Sequence, residues 1–206
     1  MKKIMFNDRY GLTKAVLEGR KTMTRRIIKP QPIEFLCVEK SPDRYMEIIQ
    51  EDDLALRIKS HYKVGEVVAV AQSYENIGMD GSAQLFEKDM SGYYTRTDLC
   101  KGWRNKMFVR SDLMPHKIRI TSIRAERLQD ISDEECLREG VGVSATDNLV
   151  GFPIAIPFNY YIGRDEKGYR YVTPREAFSV LIDKISGRGT WQSNPYVWVY
   201  EFELIK

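Results

Sequence analysis

Apolar positions along the chain follow two periods, and each change of period falls at a turn or cap signal. Leu12, Ala15 and Val16 share one helical face, with Asn7 ahead as the candidate cap and Gly19 behind as the stop, which predicts a helix near residues 8–18. If the chain then runs as a strand from Thr22 to Ile28, Thr22, Thr24 and Arg26 face one side and Met23, Arg25 and Ile27 the other. Val67 to Ala71 reads as a buried strand entered through a Val64-Gly65 turn. In the strand predicted over Lys117 to Leu128, Ile118 and Ile120 lie in one phase and Ile123 and Ala125 in the other, so a bulge is expected near Thr121-Ser122. Ser132-Asp133-Glu134-Glu135 is a capping box, flanked by Ile131 and Cys136 as a hydrophobic staple and stopped by Gly140, predicting a helix over 133–139. Thr173, Pro174 and Glu176 open a last helix over 174–186, with Phe178, Leu181, Ile182 and Ile185 at i, i+3, i+4 and i+7. The closing strand alternates Trp198, Tyr200, Phe202 and Leu204 with Val197, Val199, Glu201 and Glu203, which assigns its aromatics to the core.

Three stretches lack such a period. Residues 29–60, with Pro30, Pro32 and Pro42, read as an insertion containing one hairpin. Residues 72–113 are punctuated by Gly78, Gly81, Gly92 and Gly102; their Tyr74, Phe86, Tyr93, Tyr94 and Trp103 fit strand residues or a lid with aromatic platforms, the core reading being preferred. Residues 142–172, with Phe152 to Pro157 and Tyr160-Tyr161, form another insertion able to cover a site. A chain of 206 residues with 43% hydrophobic content buries a sizeable core, and no linker or repeat divides it, so a single domain over 1–206 is expected. No apolar run approaches the ~20 residues of a membrane span. Met1 to Asp8 lacks the apolar core of a signal peptide, so a cytoplasmic protein without membrane partners is expected. Cys37, Cys100 and Cys136 show no Cys-x-x-Cys spacing, and His61 and His116 stand apart from any ligand pattern. Neither a disulfide framework, a metal nor a cofactor is therefore expected.

A net charge of +3 conceals two basic segments. Residues 14–29 hold six basic residues against Glu18, and residues 101–127 hold eight against Asp112 and Glu126. The rest of the chain has 18 basic and 26 acidic residues, so an acidic body carries two segments that would form a phosphate-binding patch if adjacent. Taken singly, Lys101, Lys106 and Arg127 read as solvated strand residues.

The octet Gly19-Arg20-Lys21-Thr22-Met23-Thr24-Arg25-Arg26 places a reactive amine, a hydroxyl and guanidiniums just past a helix stop, which suggests chemistry or nucleic-acid binding. Glu139 falls in the last turn of the Ser132 helix, where the helix dipole disfavours negative charge by ~0.3–1 kcal/mol, so another group should hold it there. The simpler account is a surface carboxylate paired with a nearby Arg or Lys. Trp191, just ahead of the last strand, is a candidate pocket wall because a loop aromatic need not be core.

The octet resembles the Gly-x-Lys-x-x-(Glu or Thr)-x-Arg signature of the ASCH domain, a PUA-like β-barrel family, in a long form like those of phages and prophages. The likeness extends to Val64 to Val70, to Met114 to Val141 and to Asn194 to Phe202, about half of the chain. It implies an α+β, mainly β fold: a PUA-like barrel with flanking helices and large insertions.

The chain is also similar to small members of that family that act as amidohydrolases on N4-acetylcytidine with a Lys, a Thr and a Glu. Position by position these match Lys21, Thr24 and Glu139, while Arg25 stands where a small or apolar residue is often seen. The resemblance implies acyl transfer with Thr24 as nucleophile. Lys21 would be its base if burial and the field of Arg20, Arg25 and Arg26 lower its pKa, and Glu139 would orient Lys21 or protonate the leaving nitrogen. The partner would be a modified nucleoside or RNA. The alternative is a PUA-like RNA-binding module in which Lys21, Thr24 and Arg26 contact phosphate and base without bond cleavage, and an accessory role through protein contacts stays open because fold does not fix function.

Overall fold

Residues 1–31, 34–37, 45–49, 55–79, 105–144, 160–163 and 170–205 are described by a computed structural model. In chain order its elements are β1 (Lys3–Ile4), α1 (Leu12–Leu17), β2 (Met23–Ile27), β3 (Glu34–Cys37), β4 (Tyr45–Ile49), β5 (Ala55–Lys59), β6 (Val67–Val70), α2 (Tyr74–Met79), β7 (Lys117–Arg127), α3 (Asp133–Arg138), β8 (Gly142–Val143), β9 (Tyr160–Tyr161), β10 (Arg170–Tyr171), α4 (Pro174–Ser186), α5 (Thr190–Ser193) and β11 (Tyr196–Ile205). The chain divides into two units, the first comprising Met1–Phe6, Val67–Arg119 and Leu204–Lys206, the second Asn7–Glu66 and Ile120–Glu203.

In the first unit β6 pairs in parallel with β1 and antiparallel with the start of β7, Val67 opposite Arg119. Its core is Ala69, Ala71, Ile77, Val109 and Met114, with Tyr74 packed against them. Lys3 Nζ fastens the segment before β7 by donating to the carbonyls of Lys106, Met107 and Val109. Tyr74 opens a helix and not a strand and packs, partly buried, against this core, whereas Phe86, Tyr93, Tyr94 and Trp103 lie outside the described residues.

In the second unit β2 pairs antiparallel with β11, from Val197 opposite Ile27 to Glu201 opposite Met23. Val197, Trp198, Val199, Tyr200 and Phe202 are all buried, so β11 is covered on both faces and not on the aromatic face alone. β3, β4 and β5 form an antiparallel meander, one strand more than the predicted hairpin, because Ala55–Lys59 is too short for its period to separate it from a loop. β8, β9 and β10 pair antiparallel in turn. Gly142 is needed at its position, since a Cβ there would come within 2.3 Å of the Tyr161 ring.

Local chemistry sets the helix ends. Ser132 Oγ accepts from Glu135 N at 3.2 Å at the start of α3, and Thr173 Oγ1 accepts from Glu176 N at 3.0 Å at the start of α4. Phe178, Leu181 and Ile182 of α4 are buried, but Ile185 is exposed, so the apolar stripe stops one turn early. The predicted Asn7 cap is displaced: Asn7 Oδ1 accepts from Arg9 N in the preceding turn, and Gly11 takes the cap position of α1. Ile118, Ile120 and Ile123 are all buried, which places the change of phase at Thr121-Ser122.

The architecture is α+β. Within the first unit β1 has β6 as its partner strand and within the second β2 has β11, so the described residues do not close a barrel. Among the described residues no helix is long and apolar enough to cross a membrane.

Candidate functional site

Lys21 sits where three chain segments are tied together. Its amide donates to Ala15 O at 2.9 Å, back to the end of α1, and the next amide, Thr22 N, donates to Arg138 O at 3.0 Å, at the end of α3. Thr22 O in turn accepts from Phe202 N of β11 at 2.9 Å. The Lys21 side chain is 1% exposed, and Nζ meets Met23 O at 2.7 Å, Glu139 O at 2.6 Å and Glu139 Oε2 at 2.7 Å. Three acceptors match the three protons of an ammonium. Burial pulls the Lys21 pKa below that of an ordinary lysine; Glu139 opposes the shift, and the Arg26 and Arg25 charges add to it.

Glu139 is the C-cap residue of α3, so its carboxylate and its carbonyl both lie at the negative end of the helix dipole. Lys21 neutralises both, and Arg25 Nη1 donates to the second carboxylate oxygen, Oε1, at 3.2 Å. These two cations are what hold the acid at an unfavourable helix end. Gly140, directly after it, has φ +103°, and a Cβ there would meet Leu12 Cδ2 at 3.0 Å and Lys21 Cδ at 3.4 Å.

Arg25 spends all of its donors inside this cluster. Nε and Nη2 reach Glu126 Oε1, Nη2 also reaches Glu135 Oε2, and Nη1 is shared by Met23 Sδ and Glu139 Oε1, five bonds for the five N–H groups of a guanidinium. With its side chain 1% exposed, Arg25 has no donor left for a phosphate, contrary to the binding role expected of it. The carboxylates around it are shared outward. Arg124 bridges Glu126, Glu135 and Glu201, and Arg138 joins Glu201 to Thr22 Oγ1. Lys21, Arg25, Arg124 and Arg138 thus face Glu126, Glu135, Glu139 and Glu201, so the cluster is neutral as a whole. Glu126, Glu135, Arg124, Arg138 and Glu201 are the members sequence reasoning did not identify. Their available signal was spacing, with Arg124 and Glu126 on one face of a strand and Glu135 and Glu139 on one face of a helix.

Thr24 is buried in β2 opposite Tyr200, and Arg26 lies opposite Trp198. Strand alternation turns both away from the face that carries Arg25. Tyr200 accepts from His61 N at 3.1 Å and meets the Tyr62 ring edge-on at 5.1 Å between centroids. Burial pushes the Tyr62 hydroxyl up to about 12, partly offset by the Arg26 charge. The Thr24 side of the strand is therefore aromatic where the Arg25 side is ionic. Lys21 reaches the junction of the two, because the Met23 carbonyl it binds belongs to the peptide that joins Met23 to Thr24.

The remaining candidates are placed elsewhere. Arg20 is exposed and forks onto Glu18 at 2.9 and 2.8 Å, a surface pair of little energetic weight. Trp191 lies in α5 and not in a loop. It packs edge-on to Phe178 at 6.1 Å, lies under the Arg175 guanidinium at 5.2 Å and accepts from Gln129 Nε2 at its carbonyl, partners that belong to the packing of α4 and α5. Of the second basic segment, Arg127 stacks on Tyr196 at 3.7 Å and Arg124 belongs to the ionic cluster, while Lys101 and Arg104 lie outside the described residues. Among the described residues no group of three or more His, Cys, Asp and Glu is placed to hold a metal ion. Comparison with protein-family models, with curated proteins and with solved structures finds no match.

Proposed function

We propose that this chain is a PUA-like, ASCH-type amidohydrolase that removes an acyl group from a modified nucleoside of the N4-acetylcytidine class, with Lys21, Thr24 and Glu139 as its working residues. The observation that carries the reading is the buried 2.7 Å contact between Lys21 Nζ and Glu139 Oε2, two positions singled out by the family resemblance. A lysine whose pKa is drawn down by burial is a competent base, and a carboxylate touching it provides a place for the proton.

In the proposed reaction Lys21, as the free amine, takes the Thr24 hydroxyl proton while Oγ1 attacks the acyl carbonyl. The tetrahedral intermediate collapses by breaking the bond to N4, which leaves as the amine after receiving a proton from the Lys21–Glu139 pair. Water, deprotonated by the same pair, then cleaves the acyl-threonine ester to give the free acid and the original hydroxyl. The ionised pair as it stands uses every Nζ proton, so the active form is the one in which the ammonium has lost a proton. The aromatic side of β2, with Tyr62, Trp198 and Tyr200, suits a planar base better than an aliphatic substrate. The test is chemical: acid quench during turnover of N4-acetylcytidine, followed by peptide mass mapping, should find the acetyl group on Thr24. Turnover with an unmodified Thr24 peptide at every quench time would count against a threonine nucleophile.

A further inference from the structure

Glu139 is held from two sides by different cations on different oxygens. Lys21 takes Oε2 at 2.7 Å, and Arg25 takes Oε1 at 3.2 Å. Arg25 is itself immobilised, since Glu126 of β7 and Glu135 in the first turn of α3 occupy its Nε and Nη2, and Met23 Sδ lies against Nη1 at 3.2 Å. Glu135 and Glu139 are one helical turn apart on α3, so a single guanidinium spans one face of the helix from its first turn to its cap. A planar fork can do this; a point-like ammonium cannot.

We infer that Arg25 is a positioning residue: anchored by Glu126 and Glu135, it withholds Oε1 of Glu139 from Lys21, so that only Oε2 faces the amine. This rests on the proposed roles of Lys21 and Glu139 for its use in catalysis, though not for its geometry. The charged groups acting on Lys21 are Glu139, which favours its protonated form, and Arg26 and Arg25, which oppose it. Removing Arg25 leaves the whole carboxylate charge of Glu139 to Lys21 and takes away a repelling charge, and both changes make Lys21 harder to deprotonate. Burial is the main cause that lowers the Lys21 pKa, and the arginine adds to it by its charge and by occupying Oε1.

The test reads Lys21 directly. In protein labelled at lysine Cε, the Lys21 resonance is assigned by its loss in Lys21→Arg and followed against pH in wild type, Arg25→Gln and Arg25→Lys. The Lys21 midpoint should rise by about one pH unit in Arg25→Gln, the size expected for an adjacent charge. It should rise by less in Arg25→Lys, which keeps the charge but cannot span Glu135 and Glu139; that variant also serves if the glutamine protein does not fold. A midpoint unmoved in both variants, or lowered, overturns the inference. Because this readout needs no turnover, a wild type inactive on N4-acylcytosines sinks the proposed reaction and leaves the positioning role to stand or fall on the titration. Where turnover is present, Arg25→Lys should lower kcat about tenfold with KM within twofold, since the loss is of geometry and not of substrate contact.

Discussion

Lys21 and Glu139, 118 positions apart, are joined twice: Nζ donates to the backbone carbonyl and to the carboxylate of the same residue. The double contact fixes the end of α3 against the start of β2. Removing one partner of a buried ion pair leaves the other uncompensated, at a cost of about 3–5 kcal/mol. Lys21→Met and Glu139→Gln should each destabilise on that scale in urea unfolding. The double variant should lose clearly less than the sum, because no charge is left stranded between the two positions. Strict additivity would mean that the pair contributes no coupling.

Gly140→Ala should be more destabilising than Gly19→Ala. Both glycines have positive φ, +103° and +75°, but an added Cβ meets nothing within 4 Å at Gly19, whereas at Gly140 it presses on Leu12 and Lys21. Backbone strain alone costs roughly 1–2 kcal/mol. Gly140→Ala should exceed that in denaturant unfolding and also disturb the Lys21 titration, while Gly19→Ala should show strain only.

Much of the scaffold is legible in the sequence because its signals are local. Ser132 and Glu135 announce α3 within four residues, and Thr173, Pro174 and Glu176 do the same for α4. The environment of Arg25 is not legible, because its carboxylates lie 101, 110 and 114 positions away and only pairing of distant segments brings them together. A basic run therefore read as a surface patch when one of its members is a buried counter-ion. Trp191 misled for the opposite reason: a four-residue helix leaves too little period to detect.

Burial pushes the Cys136 thiol up to about 12, so little of it is thiolate at pH 8.5. Peptide mapping after iodoacetamide treatment should show the Cys136 peptide unmodified in native protein and alkylated after denaturation. Rapid native alkylation would contradict its burial on the inner face of α3.

Alkaline stability should carry the mark of Tyr62. Its folded pKa is raised from 10.0 to about 12, so the folded state holds a proton that the unfolded chain releases in that window. The stabilisation is complete below pH 10 and is lost as pH rises through 12. Tyr62→Phe should flatten that fall in unfolding free energy. Lys21 has the opposite sign, since a lowered folded pKa makes its burial penalty largest at low pH and relieves it as pH approaches 10.5.

Deacylation of N4-acetylcytidine, followed by absorbance over a pH series, tests the central claim most directly when wild type is run beside Thr24→Ala, Lys21→Met and Glu139→Gln. The rate of the wild type should rise with pH as Lys21 loses its proton and level off below 10.5, its ordinary pKa. Thr24→Ala and Lys21→Met should fall to background, and Glu139→Gln should lose kcat more than it gains KM. A wild type with no turnover above background on a panel of N4-acylated cytosines, or a Thr24→Ala protein with full activity, would contradict the account.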